Sequence, residues 1–337
     1  MNPTALVFLG ISILLATSTA CADSPPPTPS DEDNLLATGK ALFDAYAPPE
    51  IKEQFEFPTR AQWDDFAARL EKTRQTGSLA ELAAYEPEAK AALAALRAMP
   101  DHQDYADWLA ERIDEIEAAK EALSPPPANV PTPSMPPSPP PAQGGLPAPP
   151  PSSSQAAAPG VPLYDLWLGR MHDRPRPARA DEFLPQLKKA FAAEGVPIEL
   201  AWLAETESMF NPSARSPAGA RGLFQLIPDT ARAQGLSLFP FDTRTDPAKS
   251  AHAAASILHA LHDRFGSWPL ALAAYNAGEG RVGRLLKKQD AKTFAEIAGQ
   301  LPVETRLYVP KVLATLTVRE GVTPSALAAP APPRPAG

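Results

Sequence analysis

A single cysteine, Cys21, in 337 residues excludes any disulfide within the chain. No apolar stretch is long enough to span a bilayer. The longest, Ala5 to Ala16, gives way to small residues, as the core of an export signal does, although its flank Met1 to Thr4 lacks Lys and Arg. No alternating pattern of convincing strand length occurs, which disfavours a sheet architecture. There is no positive excess either: the formal charge of -8 argues against nucleic acid as a partner. What is plentiful is proline, 43 residues, so a good part of the chain cannot be packed secondary structure.

The prolines divide the chain. Residues 1–22 are expected to be a signal segment for export to the periplasm. Cys21, in Ser18-Thr19-Ala20-Cys21, resembles the lipid-modified cysteine of bacterial lipoproteins, except that Ser18 stands where Leu is usual. That reading implies an outer-membrane lipid anchor. Ordinary cleavage after Ala22, with Ala20-Cys21-Ala22 as the small-residue site, is the alternative. Residues 24–30 form a short extended spacer. Residues 31–124, rich in Ala, Leu and Glu at helical spacing, predict a small bundle of four or five helices with solvated acidic faces and no catalytic constellation. Ser78 with Glu81, and Thr59 with Gln62, give capping-box signals, and a last helix near Asp104 to Leu123 aligns Tyr105, Trp108, Leu109, Ile113 and Ile116. Residues 125–160 are a disordered Pro-rich linker and residues 323–337 a disordered Ala/Pro tail. Between them, 161–322 reads as helices throughout. The expected class is therefore all-α: two helical domains joined by the linker. Charge is split between them, about −11 over 31–124 and about +3 over 161–322.

Chemistry concentrates in the second domain. Glu207-Ser208-Met209-Phe210-Asn211-Pro212 places Glu207 on a helical wheel between Leu200, Leu203 and Ala204, facing the core. Burial there raises a carboxyl pKa and makes a general acid near neutral pH, of the kind that breaks glycosidic bonds. The wheel alone leaves Glu205 in play, since Ile198, Ala201 and Met209 surround it, and a paired core glutamate is the bland alternative. Pro197 in the first turn and Asn211-Pro212 at the end bound the expected helix.

Four ordered motifs add a resemblance. The segment from Glu207 to Pro212, Ser216-Pro217-Ala218-Gly219-Ala220 with Gly222-Leu223-Phe224-Gln225, Ala274-Tyr275-Asn276-Ala277-Gly278, and Glu304-Thr305-Arg306-Leu307-Tyr308-Val309-Pro310 are similar to lytic transglycosylase family 1, the SLT domain, most similar to its membrane-bound D-type branch. The resemblance covers roughly 165 to 320. It implies a lysozyme-like α domain without cofactor or metal, acting on peptidoglycan glycan strands. Glu207 would be the sole acid and base for cleavage between N-acetylmuramic acid and N-acetylglucosamine with a 1,6-anhydro product. Ser216, Gln225, Tyr275, Asn276, Glu304 and Tyr308 would bind the sugars, and Phe224 would keep an apolar wall. Each has a plainer reading: Ser216 shaping a turn, Asn276 ending a helix, Glu304 capping the next. Gly219 and Gly222 are expected to serve backbone conformation. His252, His259 and His262 lack a carboxylate or cysteine to complete a metal site. Two other functions remain open: a hydrolytic muramidase, with Asp229 the nearest second carboxylate, and a non-catalytic peptidoglycan-binding lipoprotein. A protein partner for the acidic bundle is not identified.

Overall fold

The computed structural model describes residues 60–97, 103–124, 160–216 and 219–332. The signal segment, Cys21, Thr59, linker residues 125–159, Pro217, Ala218 and tail residues 333–337 lie outside them, as do the side chains of Tyr105 and Trp108. Among the described residues the fold is all-α, with two isolated bridges, Arg215 to Arg221 and Arg221 to Leu226, and no strand. No described helix is long and apolar enough to cross a membrane.

The amino-terminal helices are α1 (Arg60–Thr76), α2 (Leu79–Ala83), α3 (Glu86–Arg97) and α4 (Gln103–Leu123). Ser78 and Glu81 cap α2 reciprocally, satisfying two of the backbone donors that a helix start leaves open. Leu109, Ile113 and Ile116 turn inward from α4, which packs on α2 and α3. These helices do not stand apart. Both α1 and α4 pack against the last long helix of the second half.

That half comprises α5 (Tyr164–His172), α6 (Ala180–Ala193), α7 (Leu203–Ser208), α8 (Pro228–Ala233), α9 (Pro247–Phe265), α10 (Trp268–Ala277), α11 (Glu279–Gln289), α12 (Phe294–Ala298) and α13 (Val303–Glu320). Asp246 accepts from the Lys249 amide and Pro247 follows at the first position, so α9 starts where its sequence says. Helix α13 is buried over most of its length, Leu307, Val309, Val312, Leu313 and Leu316 included, because α5, α10, α1 and α4 surround it.

Two expectations need correction. The Glu207 helix is not one helix running to Asn211-Pro212. A 3-10 turn, Ile198–Trp202, leads into α7, which ends at Ser208. The cause is not the proline. Met209 (φ 50°) and Phe210 (φ 59°) turn left-handed, the Phe210 amide donates to Ala204 O and the Met209 amide to Glu205 O, a left-handed closure that satisfies two of the helix's last carbonyls. Buried Phe210 packs edge-on against Trp202 at 5.5 Å, which holds the reversed chain in place. The tail is the second correction. Residues 323–332, expected to be disordered, include the 3-10 turn Pro324–Ala326 and bond to the domain: Trp268 Nε1 donates to Ala328 O at 2.8 Å, and the Ala331 amide to Gly195 O at 2.8 Å. A Cβ on Gly195 (φ 71°) would fall 1.8 Å from Ala331 O, so this glycine admits the tail.

Candidate active site

The two carboxylates of α7 have separate environments. Glu205 is only 3% exposed and meets Arg319 in a bidentate pair, Nη2 to Oε1 at 2.7 Å and Nε to Oε2 at 2.9 Å. It is the paired core glutamate. Glu207 is half-buried and accepts from the Tyr308 hydroxyl at 2.5 Å. It faces a cavity of about 1010 Å³ that Ser216, Gln225, Tyr275, Asn276, Glu304 and Tyr308 also line. The seven residues singled out from sequence thus share one cavity.

Local backbone explains how. Between α7 and α8 the chain folds into a tight loop in which Arg221 and Leu226 exchange amide bonds. Arg244, clamped by both carboxylate oxygens of Asp242, donates to Gly219 O at 2.7 Å and Leu226 O at 2.9 Å, and pins the loop from behind. Gly222 (φ 80°) permits this approach, since a Cβ there would stand 2.0 Å from Arg244 O. Ser208 ties the loop to α7 by donating to Leu223 O at 3.0 Å. Gln225 is itself left-handed (φ 46°), as are Met209 and Phe210. Three non-glycine residues in this costly conformation, all in segments that meet at the cavity, mark where packing overrides local preference.

The predicted binding residues are held as follows. Ser216 Oγ accepts the Ala220 amide at 3.1 Å, so it shapes the turn as well as lining the cavity. Gln225 Nε2 donates to Gly222 O at 2.9 Å and the Tyr275 hydroxyl to Phe224 O at 2.8 Å. Thr305 Oγ1 donates to Asn276 Oδ1 at 2.7 Å near the end of α10, where Gly278 (φ 86°) breaks the chain into α11. Phe224 is not a cleft wall: it is fully buried against Phe191 at 5.6 Å, and its carbonyl, not its ring, reaches the site. Asp229 is exposed and paired with Arg232 at 2.7 Å, outside the cavity. The histidines contact different groups: His252 the Glu194 carboxylate at 2.9 Å, His259 the Glu194 carbonyl at 2.7 Å, and His262 the Trp268 ring, tilted at 46° to it.

Burial pushes the Glu207 carboxyl up to about 8; the Tyr308 hydroxyl pulls against this, and the charges of Glu304 and Glu111 add to the rise. Burial likewise raises the Tyr275 and Tyr308 phenols far above their ordinary range, so both stay protonated as donors. An acid that keeps its proton at neutral pH is thus placed where a ligand can touch it.

Sequence reasoning missed the amino-terminal share of the cavity lining. Glu71, Arg74, Gln75, Glu111, Arg112 and Glu115 of α1 and α4 line the same cavity, and Glu304 is gripped by Arg74 Nη2 at 3.0 Å and Gln75 Nε2 at 3.0 Å. The acidic residues of 31–124 are therefore not all solvated faces. The opposed charges of the two halves were the available signal.

Comparison with known proteins agrees with the motifs. Residues 187–298 match the family described as Transglycosylase SLT domain. The chain carries an SLT domain. The matched span includes Glu207, Ser216, Gln225, Tyr275 and Asn276; Glu304 and Tyr308 follow just after it. The chain is 39% identical over 140 residues to membrane-bound lytic murein transglycosylase D of Escherichia coli strain K12, covering 40% of this chain and 31% of that protein. It is 38% identical over 111 residues to membrane-bound lytic murein transglycosylase F of Alcanivorax borkumensis, covering 31% of this chain and 21% of that one. The chain thus spans under a third of the length of either relative. Among solved structures, an inactive mutant of lytic transglycosylase Slt from Pseudomonas aeruginosa is similar at 32% identity with a TM-score of 0.37, over 42% of this chain and 24% of that one.

Proposed function

We propose that this chain is an exported lytic transglycosylase that cuts the β-1,4 bond between N-acetylmuramic acid and N-acetylglucosamine in peptidoglycan, with Glu207 as acid and then base. The observation that carries the reading is the contrast within α7: Glu205 is neutralised by the bidentate Arg319, whereas Glu207 lies at the cavity with the Tyr308 hydroxyl donating to it and a raised pKa. The protonated carboxyl gives its proton to the glycosidic oxygen as the bond to C1 breaks. Tyr308 then donates to the carboxylate that forms. That carboxylate takes the proton of the muramic C6 hydroxyl, whose oxygen attacks C1 and closes the 1,6-anhydro ring. Glu207 ends protonated, ready for another cycle, and no water is consumed. An internal nucleophile removes the need for a second carboxylate to aim water. The described side chains agree with that economy: Asp229 is turned outward, both Glu304 oxygens are held by Arg74 and Gln75, and the other carboxylates lining the cavity are ion-paired, Glu71 and Glu115 with Arg74, Glu111 with Arg112 and Glu279 with Arg264. Ser216, Gln225, Tyr275 and Asn276 would grip the sugars around the scissile bond.

The test is the mass of soluble fragments released from purified peptidoglycan. Anhydro-muramic ends, lighter by one water than reducing ends, are expected; reducing ends would assign a hydrolase, and no release would leave only binding. A second outcome concerns pH. Because the first step needs the protonated acid, kcat should fall as pH rises through about 8. Tyr308→Phe deletes the donor to the carboxylate, so the Glu207 pKa rises further and this alkaline limb moves upward while kcat drops by about tenfold. A limb that moved downward would contradict the assigned hydrogen bond.

A further inference from the structure

We propose that α1 and α4 form the second wall of the glycan cleft, and that Arg74 is a positioning residue which fixes Glu304 at that cleft. The proposal rests on reading the cavity as the glycan site.

Three observations support it. The first is position: α1 and α4 contribute Gln75, Glu111 and Glu115 to the lining of the same cavity that Glu207, Gln225 and Asn276 line. A strand lying over Glu207 would meet polar groups from both halves. The second is the Glu304 grip. Both oxygens of this carboxylate are occupied by donors from α1, and Arg74, only 5% exposed, is itself held by Glu71 at 2.8 Å and Glu115 at 3.1 Å. Arg74 thus joins α1, α4 and the start of α13 at one buried guanidinium, the geometry that favours Arg over Lys. The third is the seam behind the cleft. Asp114 of α4 faces three cations from the other half, Arg174 at 2.6 Å, Arg170 at 2.9 Å and Lys311 at 3.0 Å, and these hold its carboxyl far below the ordinary carboxylate range. Lys311 is 7% exposed and sits over the Trp167 ring. Leu70, Ile113 and Ile116 add buried apolar surface on α1 and α4. Charges sequestered this well, in a seam whose two sides carry opposite net charge, describe a permanent wall rather than a lid that lifts.

Arg74 acts on the ligand through Glu304. With its cation gone, the carboxylate would keep only the Gln75 amide as a direct donor, in a cavity lined also by Glu71, Glu111, Glu115 and Glu207 and by Arg112 and Lys311. It would then take up a proton or rotate away, and the groove would lose its shape at that point.

The experiment uses the full chain and a soluble, uncrosslinked tetrasaccharide of alternating N-acetylglucosamine and N-acetylmuramic acid. In the Glu207→Gln chain, which holds the sugar without turnover, the ligand should slow hydrogen exchange in 60–76 and 103–123 as well as in 203–208. In otherwise wild-type chains, Gln75→Ala should raise KM by about fivefold with kcat within about twofold. Arg74→Met should raise KM by more than tenfold, with partial rescue in Arg74→Lys. Protection of 203–208 without protection of α1 and α4 overturns the wall and leaves the glycan reading intact. So does an unchanged KM in Gln75→Ala, a variant that removes no buried charge and tests the wall even where Arg74→Met fails to fold. Faster turnover in either variant would make the contact a restraint on the enzyme and also overturn the proposal. Protection nowhere overturns the glycan reading itself, and the wall with it.

Discussion

Glu207→Gln is expected to reduce muropeptide release by about a thousandfold or more, and at the same time to make the protein more heat-stable at alkaline pH. The activity loss follows from removing the only group proposed to deliver and recover the proton; the amide keeps the shape and can still accept from Tyr308. The stability gain follows from linkage. The folded-state carboxyl sits at about 8 against an ordinary 4.5. Below the lower value both folded and unfolded chains carry the neutral acid, and the site costs nothing. Between the two values the folded chain still holds a proton that the unfolded chain has released, so stability falls as pH rises. Above the upper value the folded chain bears the full cost of a charged, desolvated carboxylate, on the order of several kcal/mol. Glutamine has no such slope. Calorimetric Tm values of the two proteins should therefore lie close together at pH 5 and separate progressively toward pH 9, the variant being higher. A Tm difference independent of pH would show that Glu207 is not desolvated as described, even if the variant were inactive.

How far the site was legible in the sequence depends on the distance over which each contact forms. Local chemistry read well: Ser78 with Glu81, and Gly222, do what their residue types dictate within a turn of themselves. The end of α7 did not, because it is set by Phe210 docking on Trp202 rather than by Pro212. A helical wheel could not choose between Glu205 and Glu207, since both point inward from a short, partly 3-10 segment. What separates them arrives from elsewhere, Arg319 from 114 positions away for one and Tyr308 from 101 for the other. Phe224 read as a cleft wall for the same reason: its ring meets Phe191 on α6, a partner that pattern does not reveal. The amino-terminal share of the cleft was least visible. Arg74 reaches Glu304 across a chain separation of 230 residues with a Pro-rich stretch between them, and only the opposite net charges of the two halves hinted at the contact.

The pairing that removes Glu205 from contention also predicts the largest loss of stability. Arg319→Met should destabilise the fold by about 3 to 5 kcal/mol, lowering Tm by about 10 °C, because it strands a carboxylate that is 3% exposed inside the core. Most of that cost is the abandoned charge rather than the intrinsic strength of the bond. The double variant Glu205→Met/Arg319→Met should therefore recover much of the loss, which an additive pair of mutations would not do. Recovery will be incomplete. Arg319 also donates to Arg174 O at 3.1 Å and Pro175 O at 3.0 Å and lies over the Trp202 ring, and methionine replaces none of these. Chemical denaturation of wild type, the single variants and the double variant closes the cycle. A single variant within 1 kcal/mol of wild type, about what an exposed pair is worth, would mean that Glu205 reaches water. The contrast drawn between the two glutamates of α7 would then fail, and with it the physical reason for assigning the chemistry to Glu207.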